Sequence, residues 1–480
     1  MNQLLTLSGT RLAQMIKRGE VSSQEVVEAH IQQIKKVNPV LNAVVKDRFD
    51  QAREEAKKAD EAVKSQPKEQ LPPFLGVPCT IKECFALTGM PNTSGLVARK
   101  NIIPQEDATA VARLRQAGAI PLGVTNVPEL CMWFETYNAV YGRTNNAYDP
   151  SRIVGGSSGG EGAIISAGGS PFGIGSDLGG SIRMPAFFNG IFGHKPSGGL
   201  VPNTGQFPIA ENEALRYLTT GPLARKAEDL MPILKIIAGP DGKDSGCQEI
   251  PLGDPAQVKI EELEVVIIEN RISRVQSELL QSLDRARLHL LEKGAKEKRV
   301  RVERLKYAFN IWSSMLSVAS ETSFATLLGA DKPINPWLEL LKWVFRASNH
   351  TLPSIIFAMV EALPKLTPGL TRRAVQAGKL LKQEMQEILG EKGVLLFPPH
   401  PRTALRHYGT LLHPFSFIYT GIFNVLELPV TEVPMGLSRK GLPLGVQVVA
   451  NHGNDHLTIA VALELERVFG GWAVPELAKG

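Results

Sequence analysis

Cysteine is scarce. Four residues, at positions 79, 84, 131 and 247 of a 480-residue chain, form no C-x-x-C pair and no repeating frame. That excludes a disulfide scaffold and a thiolate zinc site, and it suits a reducing compartment. Spacings such as H-E-x-x-H are missing too, so no metal is expected. A membrane-spanning helix needs about 18 consecutive apolar residues. The best stretch, PSIIFAMVEAL at 353–363, is short and broken by Glu361. The opening MNQLLTLSGTRLAQMIKRGE lacks the basic-then-apolar order of a secretory signal, so a cytoplasmic location is expected. Neither sign of charge dominates: 53 basic and 48 acidic residues leave a formal +5, too balanced for a nucleic-acid footprint. With no G-x-x-x-x-G-K-[ST] loop, no repeats and no low-complexity tract, no nucleic acid and no cofactor are expected as partners.

What is present reads as a globular enzyme with many loops: 43% apolar, 21% charged, 44 glycines and 33 prolines. Residues 8–66 read as helices, with Ser22 and Glu25 as a capping box ahead of Val26, Val27, Ile31 and Ile34, which recur at helical spacing until Pro39. Between 70 and 235, short apolar runs alternate with helix-like segments, as in FLGVPCTIKE, DATAVARLRQAG and AIPLGVTN. GPDGKDSGCQEIPLGDPAQ, 239–257, is a surface connection. Beyond it lie a strand-like LEVVIIE, long amphipathic helices across 275–390, and two further strands, GVLLFP and LGVQVVA, expected to rejoin the first sheet. The expected architecture is α/β, one domain over 1–480: helices at 1–66, a core at 70–235 and a helical half at 258–480.

The most informative segment is VGGSSGGEGAIISAGGSPFGIGSDLGGSIRMPAFFNGIFGHKPSGG, 154–199, with two glycine-framed serine clusters. Glycines beside a serine allow close backbone approach, so that N–H groups can meet a developing oxyanion. Leu178, Gly179, Gly180 and Ser181 are the expected donors, with Ser181 at the start of a helix whose free N–H groups favour negative charge. A hydroxyl needs an adjacent base. The only histidine in the segment, His194, lies thirteen residues past Ser181 and reads as structural. Lys82, at an apolar strand end in GVPCTIKECF, is the alternative, because burial disfavours its ammonium form. Cys79 and Cys84 beside it read as packing. A nucleophile elbow also fits, since Ser157 and Ser158 both satisfy G-x-S-x-G. It requires a buried strand before the serine, where DPSRIV is short and polar, and a histidine from 400, 407, 413, 452 or 456.

GGSSGGEGA, GSDLGGSIRMPAFFNGIFGHKPS and the earlier lysine stand in an order and spacing that resemble the amidase signature family, and within it the fatty-acid amide hydrolases. The N-terminal GTRLAQMIKRGEVSSQEVVEAHI and the late GLPLGVQVVA extend the resemblance over most of the chain. It implies a large twisted mixed β-sheet covered by helices on both faces. It also implies Ser181 as nucleophile, Ser157 as a relay serine preceded by a cis peptide bond, and Lys82 as base. Ser158 is then expected on the lysine amine, with Asp177 and Arg183 holding the nucleophile loop. The implied substrate is a small hydrophobic amide, in a pocket to which Met132, Trp133, Phe134, Phe187 and Phe188 are assigned. Segment 336–366, with Lys342, Arg346 and Lys365 among apolar residues, reads either as core helices or as an amphipathic pair that caps the channel and touches a membrane peripherally. Three further readings stay open: the glutaminase subunit of a tRNA-dependent amidotransferase, a binding protein on the same fold, and a homodimer.

Overall fold

In the computed structural model, which describes residues 2–330, 332–361 and 366–479, eleven strands form one mixed sheet. In chain order they are β1 (Val44–Asp47), β2 (Pro78–Lys82), β3 (Ile120–Thr125), β4 (Phe172–Asp177), β5 (Phe192–Lys195) and β6 (Thr219–Ala224). There follow β7 (Glu264–Ile268), β8 (Lys296–Val300), β9 (Gly393–Phe397), β10 (Val430–Leu437) and β11 (Pro443–Ala450). Their spatial order is β1-β3-β2-β4-β6-β5-β10-β11-β9-β7-β8. The expected late strands β9 and β11 do rejoin the sheet, but through β10, a strand not read from the sequence, which pairs antiparallel with β11 and with β5 and joins the two halves of the chain. Parallel pairing is confined to β2 with β3 and β4, and to β7 with β8 and β9.

Helices cover the sheet, and two apolar clusters account for most of the core. In one, the helices Ser23–Leu41, Phe49–Ser65 and Gly159–Ser166 pack through Ile31, Ala52 and Ile164. The larger cluster gathers β7, β9, β10 and β11 with the helices Thr109–Gln116, Leu230–Ile237 and Asp455–Phe469. The capping box forms: Ser22 Oγ accepts from Glu25 N at 3.1 Å, and Glu25 Oε2 accepts from Ser22 N at 2.8 Å.

Three sequence expectations need correction. The second helix runs past Pro39 to Leu41, because proline in the last turn removes only one ladder bond; left-handed Asn42 then ends it. Within 8–66, Val44–Asp47 is a strand, since its partner β3 lies far downstream and four residues carry no usable periodicity. The span 275–390 is interrupted by β8, KEKRV, a charged edge strand of the kind that discourages further pairing.

Distant carboxylates fasten the N-terminal helices to this frame. Asp229 accepts from Gly9 N at 2.8 Å and from Thr10 N and Oγ1 at 2.7 Å each, while Asp60 accepts from Ser23 N at 2.6 Å. Asp229→Ala leaves those donors without their acceptor and should destabilise the fold by about 1–3 kcal/mol. Chemical denaturation measures this; an unchanged midpoint would show that water replaces the cap without loss.

Candidate active site

Lys82 ends β2, a fully buried strand flanked by the parallel β3 and β4. Its side chain is entirely buried, and Nζ lies 2.6 Å from Ser157 Oγ, 3.0 Å from Ser176 Oγ and 3.3 Å from Ser176 O. Among the described residues it forms no ion pair. The nearby Glu161 accepts from Thr80 Oγ1 at 2.6 Å and Thr125 Oγ1 at 2.9 Å. Burial pushes its carboxyl up to about 8, against those hydrogen bonds and the field of Lys82. Burial thus favours the protonated form of Glu161.

The peptide bond Gly156–Ser157 is cis, as the resemblance implied. Beyond it, Ser158 N donates to Ser181 O at 3.1 Å and ties the two serine loops together. Ser158 does not meet the lysine amine. Its hydroxyl donates to Ser176 O at 3.4 Å, and Ser176 takes the place expected of it. The reason is register: Ser176 lies on β4, hydrogen-bonded to the strand that carries Lys82, whereas Ser158 has already turned into the helix Gly159–Ser166. The glycines of the motif act through close approach. A Cβ on Gly160 would run into the backbone at Asn126 and Ala43.

The nucleophile loop is organised by Asp177. Its carboxylate accepts from Gly180 N at 2.7 Å, Ile182 N at 3.0 Å, and Arg183 Nε and Nη2 at 3.0 and 2.9 Å. Both side chains of this ion pair are fully buried. Burial alone would raise the Asp177 carboxyl, but the Arg183 guanidinium and the hydrogen bonds outweigh it and hold the group well below the usual carboxylate range. Arg183 places its remaining donors on Thr420 O (2.9 Å), Gln447 Oε1 (3.0 Å) and Asn424 Oδ1 (2.6 Å), so all five N–H bonds are used.

Of the four expected oxyanion donors, Gly180 is already committed to Asp177, which leaves Leu178, Gly179 and Ser181 as amides that this carboxylate does not hold. Gly180 instead supplies a φ of +119°, and a Cβ there would strike Thr420 Oγ1. Between Ile153 and Asn203, only Leu178, Gly179 and Ser181 are not buried. Solvent therefore reaches this otherwise enclosed segment at the candidate nucleophile.

Aromatic residues surround the opening, though not all those expected. Trp133 and Phe134 back the cis peptide, where a Cβ on Gly156 would strike the Trp133 carbonyl oxygen. Met132 packs with Leu96, Phe324 and Phe357, away from the serines. Phe187 and Phe188 are 1% and 0% exposed, with Phe187 against Gly445 and Phe188 edge-on to His400, so they form core beneath the loop rather than an accessible wall. Sequence reasoning missed Trp312, whose Nε1 donates to Leu178 O at 3.1 Å, and Phe417, whose ring centroid is 4.9 Å from that of Trp312. Both lie beside Gly179 and come from remote segments with no local motif. Asn424 and Gln447 did carry a signal, as lone amides within apolar runs.

The histidines stay apart from this chemistry. His194 is buried between Asp455 (3.0 Å) and Thr431 (2.9 Å), a structural role as expected. Among the described residues no histidine hydrogen-bonds Ser157, Ser158 or Ser181, and no strand leads into Ser157, which argues against the elbow. Cys79 and Cys84 are buried, and Cys84 Sγ lies 3.7 Å from the Ser176 hydroxyl.

Removing Arg183 as Arg183→Met would leave Asp177 as an uncompensated buried charge, so a loss of about 3–5 kcal/mol is expected. A fall in the thermal midpoint checks this, and a wild-type midpoint would show that the pair is dispensable.

A sequence profile for the family described as Amidase matches residues 25–459. The chain is 46% identical to fatty-acid amide hydrolase 2 of Homo sapiens, over 98% of this chain and 91% of that protein. It is 29% identical to a glutamyl-tRNA(Gln) amidotransferase subunit of Exiguobacterium sp., over 97% and 98%. A solved bacterial aryl acylamidase of the amidase signature family superposes with a TM-score of 0.78 at 25% identity, covering 96% of each chain.

Proposed function

Because the chain belongs to the amidase signature family and is an amide hydrolase, we propose that it cleaves hydrophobic carboxylic amides through Ser181, Ser157 and Lys82. Fatty-acid amides, N-acylethanolamines and aryl acylamides are the substrate classes, with esters and carbamates as further acyl donors. The supporting observation is the contact between Lys82 Nζ and Ser157 Oγ, in a buried core whose accessible serine is Ser181.

Three oxygens surround the Lys82 amine. A neutral amine directs two N–H groups to the Ser176 hydroxyl and carbonyl and turns its lone pair to Ser157. Lys82 then draws the Ser181 proton through the Ser157 hydroxyl as Ser181 Oγ attacks the carbonyl carbon. Negative charge grows on the carbonyl oxygen, facing the amides of Leu178, Gly179 and Ser181. The relay returns its proton to the nitrogen, and the amine leaves as the C–N bond breaks. Water, activated by the same relay, hydrolyses the acyl-enzyme. Trp312 and Phe417 favour an apolar acyl group next to the reacting centre.

The segment 336–361 supports a second part of the reading. The helices Pro336–Val344 and Leu352–Val360 divide between surface and core: Trp337, Leu341, Val344 and Phe345 are 69%, 56%, 62% and 74% exposed along the first, with Lys342 and Arg346 nearby, while Ile355 and Ala358 of the second are buried. Lys365 lies outside the described residues. Among the described residues no helix is long and apolar enough to cross a membrane. An exposed apolar face with basic residues fits peripheral contact with a lipid surface, from which a hydrophobic amide would be drawn.

A fluorophosphonate probe should label Ser181, with no labelling of Ser181→Ala and a rate about 10²–10⁴-fold lower for Lys82→Ala. Labelling at Ser157 or Ser158 would overturn the role assignment. Across acyl amides of increasing length, kcat/KM should rise by up to about fourfold per methylene, the equivalent of 0.8 kcal/mol; a flat profile would remove the lipid substrate. Ammonia release from glutamine only with a partner protein would favour the amidotransferase reading. Trp337→Ser with Phe345→Ser should reduce co-sedimentation with anionic vesicles, and unchanged binding would place the contact elsewhere.

A further inference from the structure

One short loop, Glu129–Phe134, touches both the exposed helical hairpin and the cis peptide at Ser157. Glu129 is 1% exposed, and its carboxylate faces the hairpin: Oε1 lies 2.7 Å from His350 Nδ1, while Oε2 accepts from Thr351 N at 2.8 Å and Thr351 Oγ1 at 2.9 Å. His350 and Thr351 form the link between the two apolar helices. Leu130 and Met132 reinforce the attachment by packing with Phe357 and Ala358 of the second helix.

The other end of the loop meets the candidate catalytic residues, since the backbone at Trp133 and Phe134 lies against Gly156, immediately before Ser157. A second connection runs through Leu130 N, which donates to Ser94 O at 2.7 Å. Ser94 N in turn donates to Glu83 Oε2 at 2.7 Å, next in sequence to Lys82. Leu130 and Cys131 are held at φ values of +52° and +57°, where crowding of Cβ against the backbone costs about 1–3 kcal/mol each. Such a conformation persists only where its surroundings impose it, and here they do so from the hairpin on one side and the Ser94 turn on the other.

We infer that Glu129 is a positioning residue that couples the apolar hairpin to the Ser157 relay: its grip on His350 and Thr351 sets the path of Leu130–Phe134, and that path sets the cis peptide. Displacement of the hairpin, as by insertion into a lipid surface, is thereby felt at the proton relay. Glu129 touches no reacting atom in this scheme. Its contribution is to the geometry of Ser157 and hence to kcat, separately from whatever the hairpin contributes to acyl-chain binding. The kinetic consequence rests on the amidase reading, whereas the mechanical coupling does not.

Hydrogen exchange on the full chain tests the coupling directly. In His350→Ala, exchange should quicken in 336–361 and also in the loop 130–134 and the peptides around Ser157, the last two being remote in sequence from the altered residue. About two- to thirtyfold is expected, matching a coupling of 0.5–2 kcal/mol. His350→Asn, whose amide nitrogen can stand where Nδ1 stands, should restore slow exchange. Faster exchange confined to 336–361 overturns the inference, whatever the enzyme hydrolyses. If Glu129→Gln folds, it should lower kcat for a short acyl amide by a similar factor with KM within about twofold. A kcat equal to that of the wild type in both His350→Ala and Glu129→Gln also overturns it. A wild-type protein inert on all amides would instead sink the substrate reading, leaving the exchange result to decide the coupling.

Discussion

Asp177 and Arg183 form a fully buried ion pair at the centre of the nucleophile loop, and the arrangement of the loop follows from the need to satisfy them. A guanidinium withdrawn from water must place five N–H bonds, and a carboxylate must find donors for both oxygens. Arg183 therefore reaches Thr420, Asn424 and Gln447 in the last quarter of the chain, while Asp177 turns the amides of Gly180 and Ile182 inward. The residues of the loop left short of full burial are Leu178, Gly179 and Ser181. The same pair thus shapes the loop and links the two halves of the sheet.

Lys82 illustrates the opposite solution. It is as buried as Arg183 but has hydroxyls and a carbonyl for company instead of a carboxylate, and its acidic neighbour Glu161 is pushed by burial toward the neutral form. Two buried basic side chains are therefore held differently: Arg183 by ionic hydrogen bonds to Asp177, Lys82 by contacts with the hydroxyls of Ser157 and Ser176 and the Ser176 carbonyl.

Around this dry centre the enclosure is built from distant parts. Trp312 and Phe417 flank Gly179, Trp133 and Phe134 back the cis peptide, and the Glu129–Phe134 loop connects that wall to the exposed hairpin. The first helix of the hairpin exposes an apolar face, while the second is fastened by the carboxylate of Glu129 and by the packing of Ala358 and Phe357 against Leu130 and Phe324.

Much of this was legible in the sequence. The strand ending at Lys82, the Ser22–Glu25 cap and the strands β9 and β11 follow from local pattern, because apolar periodicity and capping residues act within a few residues of where they are read, whereas the grouping of Lys82, Ser157 and Ser181 rests on the resemblance of their motifs to the family. The tertiary structure alone decided which hydroxyl meets the lysine, Ser176 rather than Ser158, because that depends on the register between β2 and β4. It also committed the Gly180 amide to Asp177, buried Phe187 and Phe188, and brought Trp312 and Phe417 beside Gly179. Each of these outcomes joins residues far apart in the chain. Local sequence settles what a segment can form, whereas contacts across the sheet are settled by the packing of the whole.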